Sequence, residues 1–243
     1  MATKLGSDVG YRSGIYNGYK VIGTQTLGLR GLVLWLKFNE GSGNIAYDSS
    51  FYNNHGTIYG ATWTDGKFGK ALSFDGVDDY VEVADSSSLD ITDEITIMAW
   101  VKPRGSYADL TYPTIVRKEG AYGLRFGHST GNLNGVIWIG GSAVYSNSIE
   151  NAWDTTRWTH FAFVYDGQYL RLYRNGVEAA TPKACTGTID VSANNLGIGA
   201  SGKGSYLFNG TIDEVRIYNR ALSENEIKML YYNRISAVPS KTI

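Results

Sequence analysis

With 243 residues, 43% of them hydrophobic, and a formal net charge of -1 from 22 basic and 23 acidic side chains, the chain can bury a substantial core in one domain and has no electrostatic reason to bind nucleic acid. No stretch approaches the roughly 18 to 20 apolar residues of a membrane span, so membrane insertion is not expected, and the opening MATKLGSDVGYRSGIYNGYKVIG lacks an apolar run of signal-peptide length. The lone Cys185 cannot form an internal disulfide and has no second cysteine at metal-site spacing.

Tyr (18), Gly (30) and Trp (6) are abundant and Pro (4) is scarce, a bias towards short strands joined by tight glycine turns, so an all-β protein is expected. Residues 1–30 scatter glycines among Tyr and Ile. Two readings stand for them: an extended arm that docks on a neighbour, or an added edge strand at YKVIGTQTL. Strands are then expected over Leu32–Phe38, Ala71–Phe74, Tyr80–Val83, Ile95–Lys102 and Thr114–Arg117. Further strands follow at Gly123–Phe126, Val136–Ile139, Thr159–Tyr165, Tyr169–Arg174, Asn195–Ile198 and Gly210–Tyr218.

Asp166-Gly167 and Asn175-Gly176 supply the positive φ of tight hairpin turns, which makes the middle of the chain an antiparallel meander. In EITIMAWVK, Ile95, Ile97, Ala99 and Val101 form one face and Thr96, Met98, Trp100 and Lys102 the other. Neither face is cleanly polar, as befits a strand in the middle of a two-layer sandwich. Near the end, Ser223 and Glu226 make a capping box, and Ile227, Leu230, Tyr231 and Arg234 follow at helical spacing; the expected helix is short and lies across the sandwich. No fixed-period repeat is visible, which argues against a propeller or solenoid.

Five segments carry a resemblance in the same order: LVLWLKFNEGSGNIAYDSSFYNNHGTI, GKFGKALSFDGVDDYVEV, SLDITDEITIMAWVKP, RWTHFAFVYDGQYLRLYRNGVE and FNGTIDEVRIYNRALSENEI. Together they resemble the laminin-G-like, concanavalin A-like jelly-roll domains. The resemblance covers roughly Gly31 to Ile235 and implies a two-sheet antiparallel jelly-roll β-sandwich with one short C-terminal helix. It divides the chain into an N-terminal extension or assembly arm (1–30), the jelly-roll domain (31–236) and a tail (237–243). Function is less closely implied, because one fold serves lectins, glycan-binding modules, adhesion proteins, pentraxins and viral surface proteins.

In these domains the loop after the first long strand commonly helps build a calcium site, and calcium takes about six to eight oxygen ligands. The resemblance therefore points to Glu40 and Asp48, completed by Asp213, Asn54 and the Gly56 carbonyl. Asp213 is chosen because an acid inside an apolar strand is costly unless paired or metal-bound. A plainer reading has Asp48, Asn53 and Asn54 capping turns through side-chain hydrogen bonds to the backbone. Asp75, Asp78 and Asp79 in FDGVDDYVEV read as a hairpin turn with a charged tip, with a second metal site as the alternative.

Some relatives are glycan hydrolases, but no strand here carries their alternating acids. Asp213 and Glu214, neighbours in the sequence, are expected on opposite faces, so no enzyme activity is expected. His55, His128 and His160 lack metal-site spacing and no nucleophile elbow is present. Aromatic rings stacking on sugar C–H faces are the remaining signal. Tyr107, Tyr112, Tyr145 and Trp153 lie in the less regular segments and are the candidate ligand contacts, whereas Trp35, Trp100, Trp138 and Trp158 sit within strands and are expected in the core. The resulting expectation is a non-catalytic, calcium-stabilised recognition module for carbohydrate or a surface protein, located outside the cell or on a particle. The alternative is a structural protein displayed on a larger particle, such as a virion decoration or attachment protein, docking or self-assembling through residues 1–30.

Overall fold

The computed structural model describes residues 15–16, 19–20 and 28–232 apart from 109 and 203. β1 (Ile15–Tyr16) and β2 (Tyr19–Lys20) pair with each other. The rest of YKVIGTQTL, like most of 1–30 and all of 237–243, lies outside the described residues.

The sandwich begins with β3 (Leu32–Leu36), β4 (Ile45–Ala46), β5 (Gly56–Tyr59), β6 (Thr62–Asp65), β7 (Lys70–Asp75) and β8 (Tyr80–Val83). It continues through β9 (Ile95–Pro103), β10 (Thr114–Lys118), β11 (Tyr122–Phe126), β12 (Leu133–Ile139) and β13 (Ser142–Tyr145). After these come β14 (Thr159–Tyr165), β15 (Tyr169–Arg174), β16 (Val177–Glu178), β17 (Lys183–Ala184), β18 (Leu196–Ile198), β19 (Asn209–Tyr218) and α1 (Glu224–Tyr231). Eight strands form one sheet in the order β13-β12-β11-β10-β18-β8-β5-β4. Nine form the other, β16-β15-β14-β9-β19-β7-β6, with β17 added to β15 and β3 to β19. All pairings are antiparallel, and together they make the jelly-roll sandwich.

Alternation along the strands determines what enters the core. Ile95, Ile97, Ala99 and Val101 of β9 face inward and pack with Phe161, Phe163 and Ile217 of the same sheet and Leu124, Ile137 and Ile198 of the other. β12 comes so close to β14 that a Cβ at Gly135 would overlap the Phe163 ring. The Asn175-Gly176 turn has both residues at positive φ, 53° and 82°, which is the twist a two-residue hairpin requires.

The other face of β9 is apolar for a different reason. Met98 joins Leu32, Ala162, Val164, Tyr173 and Tyr218 in a second cluster, which α1 closes with Ile227 and Leu230. The capping box forms: Ser223 Oγ accepts from Glu226 N–H, and the Glu226 carboxylate accepts from Ser223 N–H at 2.9 Å. Tyr231 then stacks on Trp100 with centroids 5.3 Å apart. The nine-stranded sheet is thus covered by α1 over part of its outer face as well as by the core on its inner one, and part of the outer face of the eight-stranded sheet carries polar and aromatic side chains.

Candidate functional site

Asp48 is held in the loop between β4 and β5. Its Oδ1 accepts from the backbone N–H groups of Trp35 and Ser50, both at 2.8 Å, and its Oδ2 accepts from Ser50 Oγ at 2.5 Å and Asn54 N–H at 2.9 Å. Four donors fill the acceptor sites of one carboxylate. Asn54 turns its amide to the Val33 carbonyl and Ser88 Oγ, both at 2.8 Å, and Gly56 sits in β5 between Ala46 and Val83. Glu40 accepts from Tyr47 N–H. Asp213 lies on β19 opposite Trp100, where its Oδ2 accepts from Phe68 N–H at 2.9 Å.

Of the five residues expected to hold calcium, Asp48 and Asn54 meet in this loop, while Asp213 lies on β19 and accepts from Phe68 N–H, and Glu40, Asp48 and Asp213 do not gather their carboxylate oxygens within 4.8 Å of one another. What Asp48 builds is a turn-capping network. Among the described residues a group of three acids, Asp75, Asp78 and Asp79, brings its oxygens within 4.8 Å of one another. There Asp75 Oδ1 caps Val77 N–H at 2.7 Å and Asp79 Oδ2 accepts from Asp75 N–H at 2.9 Å, which is the hydrogen bonding of a tight turn.

Asp213 and Glu214 depart from simple alternation. Ile212 and Val215 both enter the core, three positions apart, because a bulge between Asp213 and Arg216 puts Glu214 at φ 53°. Both acids consequently leave the core face, correcting the expectation of opposite faces. Glu214 Oε2 receives Trp35 Nε1–H at 2.9 Å and pairs with Arg216 at 2.5 Å. Asp213 is fully buried, and its Oδ1 has no partner among the described residues. Burial, reinforced by the Glu214 charge, pushes its carboxyl up from 3.8 to about 7 despite the amide hydrogen bonds it receives. On β14, across Trp100 of β9 from Asp213, His160 is buried without a partner on either ring nitrogen among the described residues, and burial together with the Arg216 charge lowers it to about 3.

The most distinctive surface is the outer face of the eight-stranded sheet. Register aligns Arg117 on β10 with Gly123 on β11, Val136 on β12 and Tyr145 on β13. Arg125, Asn134 and Trp138 share that face by alternation. Arg125 is 8% exposed, with its guanidinium over Tyr112 at 4.1 Å and over Tyr145 at 5.0 Å. Arg117 is 4% exposed and lies over Trp138 at 4.9 Å and Tyr206 at 5.5 Å. Gly123 provides the space, since a Cβ there would press on the Arg117 side chain. Tyr112 and Tyr206 meet edge to face at 5.6 Å, and both hold left-handed backbones, φ 50° and 56°. Such strain in non-glycine residues collects where side-chain position matters for ligands.

Electrostatics divide the two arginines. Arg117 donates to Glu119 through Nη2 at 2.9 Å and approaches it through Nε at 2.6 Å, and Ser201 Oγ donates to the same carboxylate at 2.8 Å. Burial opposes the Glu119 charge, but these bonds and the two guanidinium charges outweigh it and hold the carboxyl below its usual value. Arg125 has no carboxylate within ion-pair distance among the described residues, and its Nε is buried without an acceptor. Burial lowers its guanidinium, and the like charge of Arg117 acts in the same direction.

Of the four aromatic residues expected to touch ligand, Tyr112 and Tyr145 come together around Arg125. Tyr107 and Trp153 form a separate pair 6.1 Å apart. Trp153 packs on Phe126 at 4.8 Å and donates Nε1–H to the Gly105 carbonyl, so its ring anchors loops to the core. Trp138 and Trp35 are half-buried on outer faces under guanidinium groups, correcting their assignment to the core. Sequence reading missed Arg117, Arg125, Glu119 and Tyr206. The alternation of LNGVIWI, with Trp138 opposite in phase to Leu133 and Ile137, is the signal that could have found Trp138. A depression of about 420 Å³ elsewhere, lined by Tyr52, Ser86–Ser88, Asp90 and Asp93 among others, has one aromatic ring and no cation.

The two antiparallel sheets make this chain a jelly-roll β-sandwich. The sequence profile of the concanavalin A-like lectin/glucanases superfamily matches residues 75–228, and the chain belongs to that superfamily. No curated protein matches it significantly. Among solved structures, the binding domain of Paraclostridial Mosquitocidal Protein 1 superposes with a TM-score of 0.69 at 19% identity, over 84% of this chain and 52% of that one. Domain 4 of AbnA, a GH43 extracellular arabinanase from Geobacillus stearothermophilus, in complex with arabinotriose, gives 0.61 at 24% identity over 82% and 98%. The binding domain of Botulinum Neurotoxin DC in complex with SialylT gives 0.64 at 13% identity over 85% and 51%. The chain thus spans about half the length of the toxin binding domains it matches, and at these identities the likeness is one of fold. Among the described residues no helix is long and apolar enough to cross a membrane.

Proposed function

We propose that this chain is a non-catalytic recognition module acting outside the cell, and that it binds carbohydrate through the outer face of the eight-stranded sheet. The observation that carries the reading is the arrangement of Arg125 and Arg117, two nearly buried guanidinium groups each stacked on two aromatic rings. Aromatic faces suit the C–H surface of a pyranose or furanose ring, and fixed guanidinium donors suit its hydroxyls. Support also comes from the arabinotriose-bound and SialylT-bound structures of the same fold. A non-catalytic role is favoured by the state of the paired acids, since Asp213 is 0% and Glu214 6% exposed and a substrate does not reach them there.

The test is calorimetric titration of oligosaccharides into the wild-type protein and into Tyr112→Ala, with Trp153→Phe as a control away from the face. Binding weakened by roughly 10-fold or more in Tyr112→Ala, the scale expected for losing one stacked ring, and kept in Trp153→Phe supports the reading. Equal binding by all three sinks this choice of face.

A further inference from the structure

We propose that the glycan recognised by this face carries an anionic group, a carboxylate or a sulfate ester, and that Arg125 is the residue that reads it. The inference rests on the reading of this face as a carbohydrate site and adds the charge of the ligand.

The argument is a charge inventory. Two guanidinium groups and one carboxylate make up the centre of the face. Glu119 is committed to Arg117, with both carboxylate oxygens at 2.6 and 2.9 Å from that guanidinium and one of them also bonded to Ser201. The next acid in the same row is Glu82, two strands away, because Arg117 pairs with Gly197 and Gly197 with Glu82. Arg125 therefore carries a positive charge nearly out of water that acts on Glu119 only from a distance, with no carboxylate in ion-pair range among the described residues.

Such an arrangement is costly unless something offsets it. The rings of Tyr112 and Tyr145, at 4.1 and 5.0 Å from the guanidinium centre, supply part of the compensation. Ring contact engages the face of the guanidinium; its Nε is buried without an acceptor among the described residues, and the two Nη groups are the in-plane donors left to meet a ligand. A planar fork of unsatisfied donors flanked by aromatic rings matches two oxygens of a carboxylate or sulfate. A neutral sugar hydroxyl would satisfy a donor without neutralising the charge, so binding energy is gained preferentially from an anion.

The experiment compares four probes by calorimetry and glycan array: a neutral oligosaccharide such as arabinotriose, a carboxylated one such as sialyllactose, a sulfated one such as a heparin tetrasaccharide, and free sulfate. Wild type, Arg125→Gln and Arg125→Lys are used, with the melting temperature confirming that each is folded. The expected result is that one charged class binds at least about 10-fold tighter than the neutral sugar, weakens as salt is raised, and loses that preference in Arg125→Gln, with partial retention in Arg125→Lys. The carboxylated and sulfated arms say which anion it is. Equal binding of neutral and charged glycans, still dependent on Tyr112, overturns the charge assignment and leaves the carbohydrate reading standing. No binding of any glycan by folded wild type overturns both. Free sulfate binding as tightly as the glycans overturns recognition of a charged sugar in favour of a simple anion pocket.

Discussion

Replacing Asp213 with Asn should abolish a large pH dependence of stability. In the folded protein the Asp213 carboxyl is fully buried, with one oxygen bonded to Phe68 N–H and the other without a partner among the described residues, and burial pushes it from 3.8 to about 7. A raised carboxyl means that the folded state holds the proton more tightly than the unfolded chain. Its stabilising effect is complete below about pH 4, is lost progressively as pH rises towards 7, and is gone above the folded value. At 1.36 kcal/mol per pH unit, about 3 kcal/mol of stability should disappear between about pH 4.5 and about pH 7.5. The assay is urea unfolding of wild type and Asp213→Asn at those two pH values. Asparagine is a close stand-in for the protonated acid, so the difference in unfolding free energy between the two proteins should change by about that amount across the interval, the wild type being relatively favoured at the lower pH. Parallel behaviour of the two proteins would refute the reasoning. A wild type that gains stability over Asp213→Asn as pH rises would mean that Asp213 is ionised and paired with a cation, as a calcium ligand would be.

Lys118 is a buried ammonium 2.5 Å from Asp85 and 3.3 Å from Asp90, so Lys118→Met should cost about 3 to 5 kcal/mol in chemical denaturation by leaving those groups without their partner. Gly135→Ala should cost about 1 to 3 kcal/mol with an unchanged denaturant slope, because its methyl would be driven into the Phe163 ring. Asp48→Ala should cost about 3 kcal/mol and speed amide hydrogen exchange at Trp35, Ser50 and Asn54, the three backbone donors it accepts from. Chelator should leave those three amides unchanged in the wild type; faster exchange on calcium removal would restore the metal reading of this loop.

Much of the sandwich was legible because its interior strands obey alternation or are apolar throughout. β9, β14 and β19 are long and apolar enough to register, and the capping box of α1 is a local signal that needs no tertiary information. The strands of the sandwich that escaped are β4, β5, β6, β13, β16 and β17, two to four residues each, which present sequences such as TWTD and SAVY with partly exposed patterns. At a sheet edge there is little apolar burial to leave a mark. The bulge at Glu214 was illegible for another reason. One extra residue reverses the phase of alternation, so the same rule that placed Ile95 and Ile97 correctly misplaced the acid pair.

The candidate site was half visible because its residues fall into two kinds. Tyr112 and Tyr145 stood out as aromatics in irregular segments. Arg117 and Arg125 did not, since arginine in a strand usually reads as a solvated side chain, and only the sheet register reveals that both lie under aromatic rings. Residues 112, 117, 125, 138, 145 and 206 meet because three hairpins place β10 to β13 side by side and a fourth segment bearing Tyr206 folds back over them. No spacing rule links these positions along the chain. Asp213 stood out in the sequence as an acid that must be compensated, and the buried group is kept largely protonated below about pH 7, whereas the buried charge of Arg125 is offset in part by the Tyr112 and Tyr145 rings.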